Sequence, residues 1–366
     1  MATNYTIFLY SPTGDLLDVY QTFSRLEIAR KANDYGALDL ELLPDVDHSK
    51  VKIDGRILVQ RQVEGFDGYT EGETVYFVRK ITRSNKNNEK ALRITAIDAN
   101  HLLDRRIIAY AAKSAQASKT GTIDNVMKAI VRENLGSSAI TARDLSAYIA
   151  VQADVSAGPA ITKAFAYRGV LETLKELADA SIQLGTMVYF DIVWTGSMFE
   201  FRTYTNRRGG DKSSTSGNSI IFSEEAGNLV NPELIDDYTE EASFVYAGGI
   251  GEGAGRVIAT QYSTTRIGSS PFGRIEKMVD SRQTDVAAEV QADADAELQA
   301  SRPRKLLSAS LQDTPSTIYG VHYSFGDIVS AYYDGTVFDC NVDTVHITFE
   351  NGQETLDIAA RGELYV

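Results

Sequence analysis

The residues Ile328-Val329-Ser330-Ala331-Tyr332-Tyr333, Asp334-Gly335 and Thr336 to Val342 read as one hairpin. Val345-His346-Ile347-Thr348-Phe349-Glu350, Asn351-Gly352 and Glu354 to Ala359 read as a second. Asp-Gly and Asn-Gly between alternating runs are strong hairpin signals, because a type I′ turn needs φ > 0 at both central residues. Val345, Ile347 and Phe349 fall on one face and His346, Thr348 and Glu350 on the other, the pattern of a half-buried sheet. An antiparallel meander therefore closes the chain.

The first hundred residues are β as well. Tyr5 to Tyr10, Leu16 to Tyr20, Arg25 to Ala32, Ala37 to Leu42, Arg56 to Gln62, Glu73 to Thr82 and Lys90 to Ile97 are expected strands. Ser84-Asn85-Lys86-Asn87-Asn88 is an expected polar hairpin loop. Short strands punctuated by turns at this spacing suggest a barrel or sandwich. The period then lengthens. Asp98 to Ile107 reads as a short helix, and Thr122 to Leu135 as a longer one with Ile123, Val126, Met127, Ile130 and Val131 on one face. Val170 to Ile182 is a third helix, ended near Gly185, followed by a hairpin over Thr186 to Val193 and Met198 to Tyr204. Arg207 to Gly217 reads as a flexible loop and a boundary. Ser219 to Phe222, Ala242 to Gly248 and Arg256 to Gln261 return to strand, and Thr284 to Ala300 is a last helix that stops before Pro303. No internal repeat is visible in the letters, although the two β blocks could share a fold. The fold class is α+β, mainly β. The loops at 110–121, 207–217 and 264–273 are expected to be the most mobile parts of the isolated chain.

Composition narrows function. Thirty-six basic and 50 acidic residues give a formal charge of −14, which argues against tight binding to nucleic-acid phosphates, whose affinity comes mainly from Lys and Arg. It does not exclude a channel through which nucleic acid slides. The apolar runs are too short for a membrane span, and Met1-Ala2-Thr3-Asn4-Tyr5 lacks the layout of a signal peptide. No stable membrane insertion and synthesis in the cytoplasm are expected. The single cysteine, Cys340, excludes an internal disulfide and sits mid-strand, where packing is its expected role.

No constellation for catalysis, cofactor or metal emerges. Gly248-Gly249-Ile250-Gly251-Glu252-Gly253-Ala254-Gly255 lies between two strands with no following helix N-terminus to hold a pyrophosphate, so it reads as a β loop. His48, His101, His322 and His346 show no ligand spacing. There is no Gly-x-Ser-x-Gly elbow. Asp236-Asp237 and Glu240-Glu241 keep open a carbohydrate-active reading, lectin or glycosidase, which needs two carboxylates across a cleft. The expectation is a structural protein that is not an enzyme.

Several stretches resemble one family. Phe23 to Leu42, Leu92 to Arg106, Thr120-Gly121-Thr122, Glu240 to Arg256 and Phe325-Gly326-Asp327 are similar, in order, to the tail-tip hub proteins of long-tailed siphophages, also called tail-associated or baseplate-hub proteins. The resemblance implies two tube-type antiparallel β-barrels with inserted α/β domains. The first barrel would span 1–105, the second 219–261 plus 306–366, and the insertion 106–218 plus 262–305, with the second and third long helices sharing a domain. It also implies a homotrimer whose six barrels match a six-fold tail tube to a three-fold tip, located in the virion at the tail tip. Its expected partners are the distal tail protein, the tail tube and tape-measure proteins, and a central fibre or receptor-binding tip protein. DNA would pass through a channel with more acidic than basic side chains. A hub from a contractile tail or phage-derived particle fits the same residues.

Overall fold

The computed structural model describes residues 2–44, 46–47, 49–86, 89–110, 116–281 and 286–365. The amino-terminal block holds β1 (Thr3–Tyr10), β2 (Leu16–Tyr20), β3 (Arg25–Lys31), β4 (Ala37–Leu42), β5 (Arg56–Val63), β6 (Val75–Lys86) and β7 (Glu89–Asp98). An α/β unit follows: α1 (His101–Asp104), β8 (Ala117–Thr122), α2 (Ile123–Asn134), β9 (Ile149–Val151), β10 (Ala160–Phe165), α3 (Val170–Gln183), β11 (Val188–Trp194) and β12 (Phe199–Thr205). Then come β13 (Asp211–Lys212), β14 (Ile221–Ser223), β15 (Leu229–Asp237), β16 (Phe244–Gly248), β17 (Ile258–Tyr262), α4 (Thr264–Gly268), β18 (Glu276–Asp280) and α5 (Ala287–Ala300). The chain closes with β19 (Arg304–Leu311), β20 (Ile328–Tyr333), β21 (Thr336–Glu350) and β22 (Gln353–Tyr365).

Both turns of the closing meander have the expected backbone: Asp334, Gly335, Asn351 and Gly352 all have positive φ. The two strands expected between those turns are one. β21 runs through Asp343, where its register against β22 slips, and continues to Glu350. Its first half pairs with β20 and its second half pairs antiparallel with β3, Thr344 opposite Lys31 and Glu350 opposite Arg25. That pairing fuses the two β blocks into one fourteen-stranded sheet ordered β15-β19-β22-β21-β3-β4-β7-β6-β5-β1-β2, with β20, β13 and β14 attached at β21. The path is open at β2 and β15, so the expected pair of closed barrels is not found among the described ladders. The physical reason lies in β21. Its inward residues Phe338, Cys340, Val342, Val345 and Ile347 straddle both blocks and pack with Ile7, Leu40 and Ile94 in a single core.

The two blocks repeat one five-strand pattern that the letters conceal. The sheet order β5-β6-β7-β4-β3 answers to β20-β21-β22-β19-β15. The slip at Arg79 in β6 stands as far from its hairpin tip as the slip at Asp343 in β21. Below the slip, Lys80↔Thr95 answers to Thr344↔Ala359; above it, Val78↔Ala96 answers to Val342↔Ala360. Val78 also exchanges backbone bonds with Asp54 and Gly55, as Val342 does with Gly326 and Asp327. The aliphatic row Leu26, Leu40, Ile94 has its counterpart in Leu229, Leu311, Ile358, all buried.

Other expectations shift. Ser84 and Asn85 belong to a strand rather than a loop, since pairing continues to Lys86↔Glu89, while Asn87 and Asn88 lie outside the described residues. The strands at Phe244–Gly248 and Ile258–Tyr262 do not join the second β block. They pair with β18 in their own three-stranded sheet, onto which α5 packs Val290, Ala294 and Leu298. α3 packs with α2 in a separate core, so the buried residues of the two helices expected to share a domain fall in different cores. That second core takes in Leu58, Val75 and Phe77, placing the α/β unit over the outer face of β5 and β6. The 207–217 segment is pinned rather than loose: β13 pairs with β20, Gly209 N–H donates to Gly326 O, and Ser214 N–H donates to Ser330 Oγ. In the 110–121 loop, residues 111–115 lie outside the described residues and 117–121 form part of β8; in the 264–273 loop, Thr264–Gly268 is helical.

Candidate functional site

The junction of the blocks concentrates the buried charge. Strand alternation turns Leu26, Ile28 and Arg30 of β3 inward, and likewise Ile57, Val59, Arg61 and Val63 of β5. Two guanidinium groups are thus delivered into an otherwise apolar core. Arg61 donates from Nε to Glu354 Oε1 at 2.8 Å and from Nη2 to Oε2 at 2.7 Å, a two-pronged pair across the seam. Its Nη1 reaches Tyr319 O at 2.9 Å. Tyr5 Oη and Thr3 Oγ1 also donate to Glu354. Burial alone would raise the Glu354 carboxyl, but Arg61 outweighs it and holds the group below its usual range. Tyr319 Oη donates to Glu71 Oε1 at 2.7 Å, and Glu71 Oε2 accepts from Arg30 Nη1 at 2.9 Å. Arg30 lies over the Phe325 ring at 4.1 Å, and Arg208 faces the same ring at 5.2 Å while pairing with Asp191 at 2.7 Å. One polar chain therefore ties the first block (Arg61, Glu71, Arg30), the second (Glu354, Tyr319, Phe325) and the α/β unit (Asp191).

Beside the Arg61–Glu354 pair opens a cleft of about 780 Å³ lined by Thr3, Val63, Val230, Asp313, Pro315, Ile318 and Phe349 among others. Asp313 accepts from Tyr319 N–H and Tyr323 Oη, and burial raises its carboxyl. The turn at Asn33-Asp34-Tyr35-Gly36, legible only as a strand break, docks the α/β unit. Asn33 Oδ1 accepts from Phe190 N–H at 2.9 Å, and Asp34 pairs with Lys175 at 2.6 Å.

Asp98, at the end of β7, accepts from Gly36 and Asn100 N–H groups. Its burial, reinforced by the nearby Asp191 charge, pushes the carboxyl up to about 8. A folded value above the unfolded one means that the native state holds the extra proton. This contribution is complete below the unfolded carboxylate value and is lost as pH rises toward 8. Urea midpoints should therefore fall between pH 5 and 8, and Asp98→Asn should flatten that slope even if it lowers the midpoint throughout; an unchanged slope would contradict the assignment.

The motifs tested for catalysis disperse. Among the described residues no group of His, Cys, Asp and Glu is arranged to hold a metal. His48 lies outside the described residues. His101 meets Tyr35 edge to face, His322 Nδ1 accepts from Ile318 N–H at 2.9 Å, and His346 bonds Glu27 at 2.9 Å. Cys340 is fully buried. The glycine-rich loop is filled by Arg256, which donates to Gly248 O and Gly249 O and pairs with Asp280. Asp236 and Asp237 are engaged by Lys305 and Arg304. No described helix meets the length and hydropathy of a membrane span.

The chain belongs to the Siphovirus ReqiPepy6 Gp37-like protein family, whose profile matches residues 6–360. The fold is similar to that of the prophage MuSo2 43 kDa tail protein from Shewanella oneidensis, at 15% identity and a TM-score of 0.56, covering 97% of this chain and 98% of that one. It is also similar to prophage tail protein gp18 from Listeria monocytogenes (12%, TM-score 0.53, 97% and 94% covered). A tail protein from Neisseria meningitidis is comparable (11%, TM-score 0.53, 98% and 96% covered). No curated protein matches the sequence.

Proposed function

We propose that this chain is the structural hub of a phage tail tip. Three copies form a pseudo-sixfold ring that joins the six-fold tail tube and distal tail protein to the three-fold tip and lines the DNA channel. The observation that carries this reading is the repeated five-strand unit: one chain holds two copies side by side in one continuous sheet. Two like units per chain let a closed threefold assembly present six similar positions. Each unit is the core of one tube-type domain, the first within about 1–105 and the second built from β13 to β15 and β19 to β22. The α/β unit and the β16–β18 sheet with α5 are insertions between their strands.

The outer face of the seam strands is polar and fits a channel wall. It carries Glu27, Asp39, Glu41, Glu350 and Asp357 against Arg25, Lys31 and Arg361. Such an excess repels phosphates, so the genome slides without sticking. Tape-measure protein and a central fibre or receptor-binding protein are the remaining expected neighbours, and the reading assigns the chain no catalysis. Mass measurement or electron microscopy of purified tails should find three copies per ring; six copies in one ring would overturn the proposal.

A further inference from the structure

Inside the chain, the second block meets the first through one device. Beyond its register slip, β21 offers its free edge to β3, and the carbonyl of the slipped residue Asp343 accepts Ala32 N–H at 2.8 Å. The repeat gives each partner a counterpart. β6 corresponds to β21, with Arg79 in the place of Asp343, and β15 corresponds to β3. Both counterparts have an edge to spare. Beyond Arg79, β6 pairs only with β7, and β15 pairs only with β19, among the described residues. They stand far apart on the sheet path with β21 and β3 between them, so they cannot meet within one chain.

Resting on the hub reading above, we infer that β6 beyond Arg79 pairs antiparallel with the outer edge of β15 in a neighbouring copy, repeating the internal seam and closing the ring. The repeat sets the register. Lys80 lies opposite Ile235, Ile81 opposite Leu234 and Thr82 opposite Glu233, with Asp236 N–H donating to Arg79 O. The side chains agree with it. Ile81 and Leu234 both face the core side of their sheets, partly buried against it. Ile235, on the outer side, is 45% exposed in the single chain. Charge agrees at one place: Lys80 on the β6 edge lies diagonally across from Glu233 of β15, while Arg79, Asp236 and Asp237 are paired within the chain with Asp54, Lys305 and Arg304. The pairing ends where β15 bulges at Asn231 and Pro232. A proline there also blunts the edge of the free chain against indiscriminate pairing.

The test is made on tails assembled from phage carrying Lys80→Cys with Ile235→Cys. Directly opposed strand residues fall within disulfide reach, and Cys340 is buried. Oxidised tails should give a disulfide-linked trimer as the main unreduced species. Either single variant, and the off-face combination Lys80→Cys with Asp236→Cys, should give none. Carbodiimide coupling of wild-type tails should join Lys80 to the diagonally placed Glu233 of another copy, a readout that needs no variant to assemble. Three copies per ring without the 80–235 or 80–233 link, or Lys80 coupled to a different tail protein, would overturn the seam and leave the hub reading standing. A ring with another copy number would overturn the hub reading itself.

Discussion

Replacing Glu354 by alanine should lower the unfolding free energy by about 3–5 kcal/mol, the cost of leaving one member of a buried ion pair uncompensated. The Arg61 side chain is 1% exposed, and Glu354 meets two of its donors. After truncation, the bond to Tyr319 O is the one that remains to that cation among the described residues. Tyr5 and Thr3 lose their acceptor in the same step. Arg61→Met in the Glu354→Ala background removes the stranded charge and should recover much of the loss, so the two changes should be strongly non-additive. Urea denaturation of the four proteins measures this. A loss below about 1 kcal/mol for Glu354→Ala, in the range of an exposed pair, would mean that the pair does not secure the junction. Acid should act in the same direction. Because the folded Glu354 carboxyl lies below its ordinary value, its contribution is present above the unfolded value and is lost as pH falls through the folded one.

Asp124→Ala should be comparably severe, again about 3–5 kcal/mol, and should act in the α/β unit rather than at the seam. Lys128 lies one turn along α2 with its side chain 0% exposed, and Asp124 Oδ2 is 3.3 Å from its Nζ. The same carboxylate accepts from Thr122 Oγ1 at 2.7 Å and from Ala157 N–H at 2.7 Å. Alanine would leave Lys128 with Ala153 O as its remaining partner, at 2.8 Å. Lys128→Met with Asp124→Ala removes the buried cation and should restore part of the stability. A double variant no better than Asp124→Ala would show that the orphaned backbone donors, rather than the lysine, set the cost. Calorimetry separates the two.

These two ion pairs are placed at junctions between parts of the fold. The Arg61 pair and the Tyr319–Glu71–Arg30 chain fix how one β block sits against the other. Asp124 and Lys128 keep α2 seated in the unit that covers the outer face of β5 and β6. In the ring proposed above, a change of angle at the internal seam would be repeated at every seam between copies.

Much of the strand content was legible because it depends on neighbours one or two residues apart. Leu16–Tyr20, Ala37–Leu42 and Ile328–Tyr333 fall where alternation placed them, and Asp334-Gly335 and Asn351-Gly352 turn as their composition requires. The helical stripe Ile123, Val126, Met127, Ile130 and Val131 is buried as expected. The inward position of Arg30 and Arg61 was equally present in the alternation, and an arginine at such a position is the signal that would have pointed to the buried chain.

Local order in the chain determined the strands, turns and helical faces, because φ preference and side-chain period act over a few residues. Only the tertiary structure decided that β21 continues past Asp343 onto β3, that β16 and β17 leave the second block for a sheet with α5, and that Arg61 finds Glu354. Those choices pair groups from tens to hundreds of residues apart, where each strand edge and each buried charge has many possible partners, and only packing of the whole core selects among them.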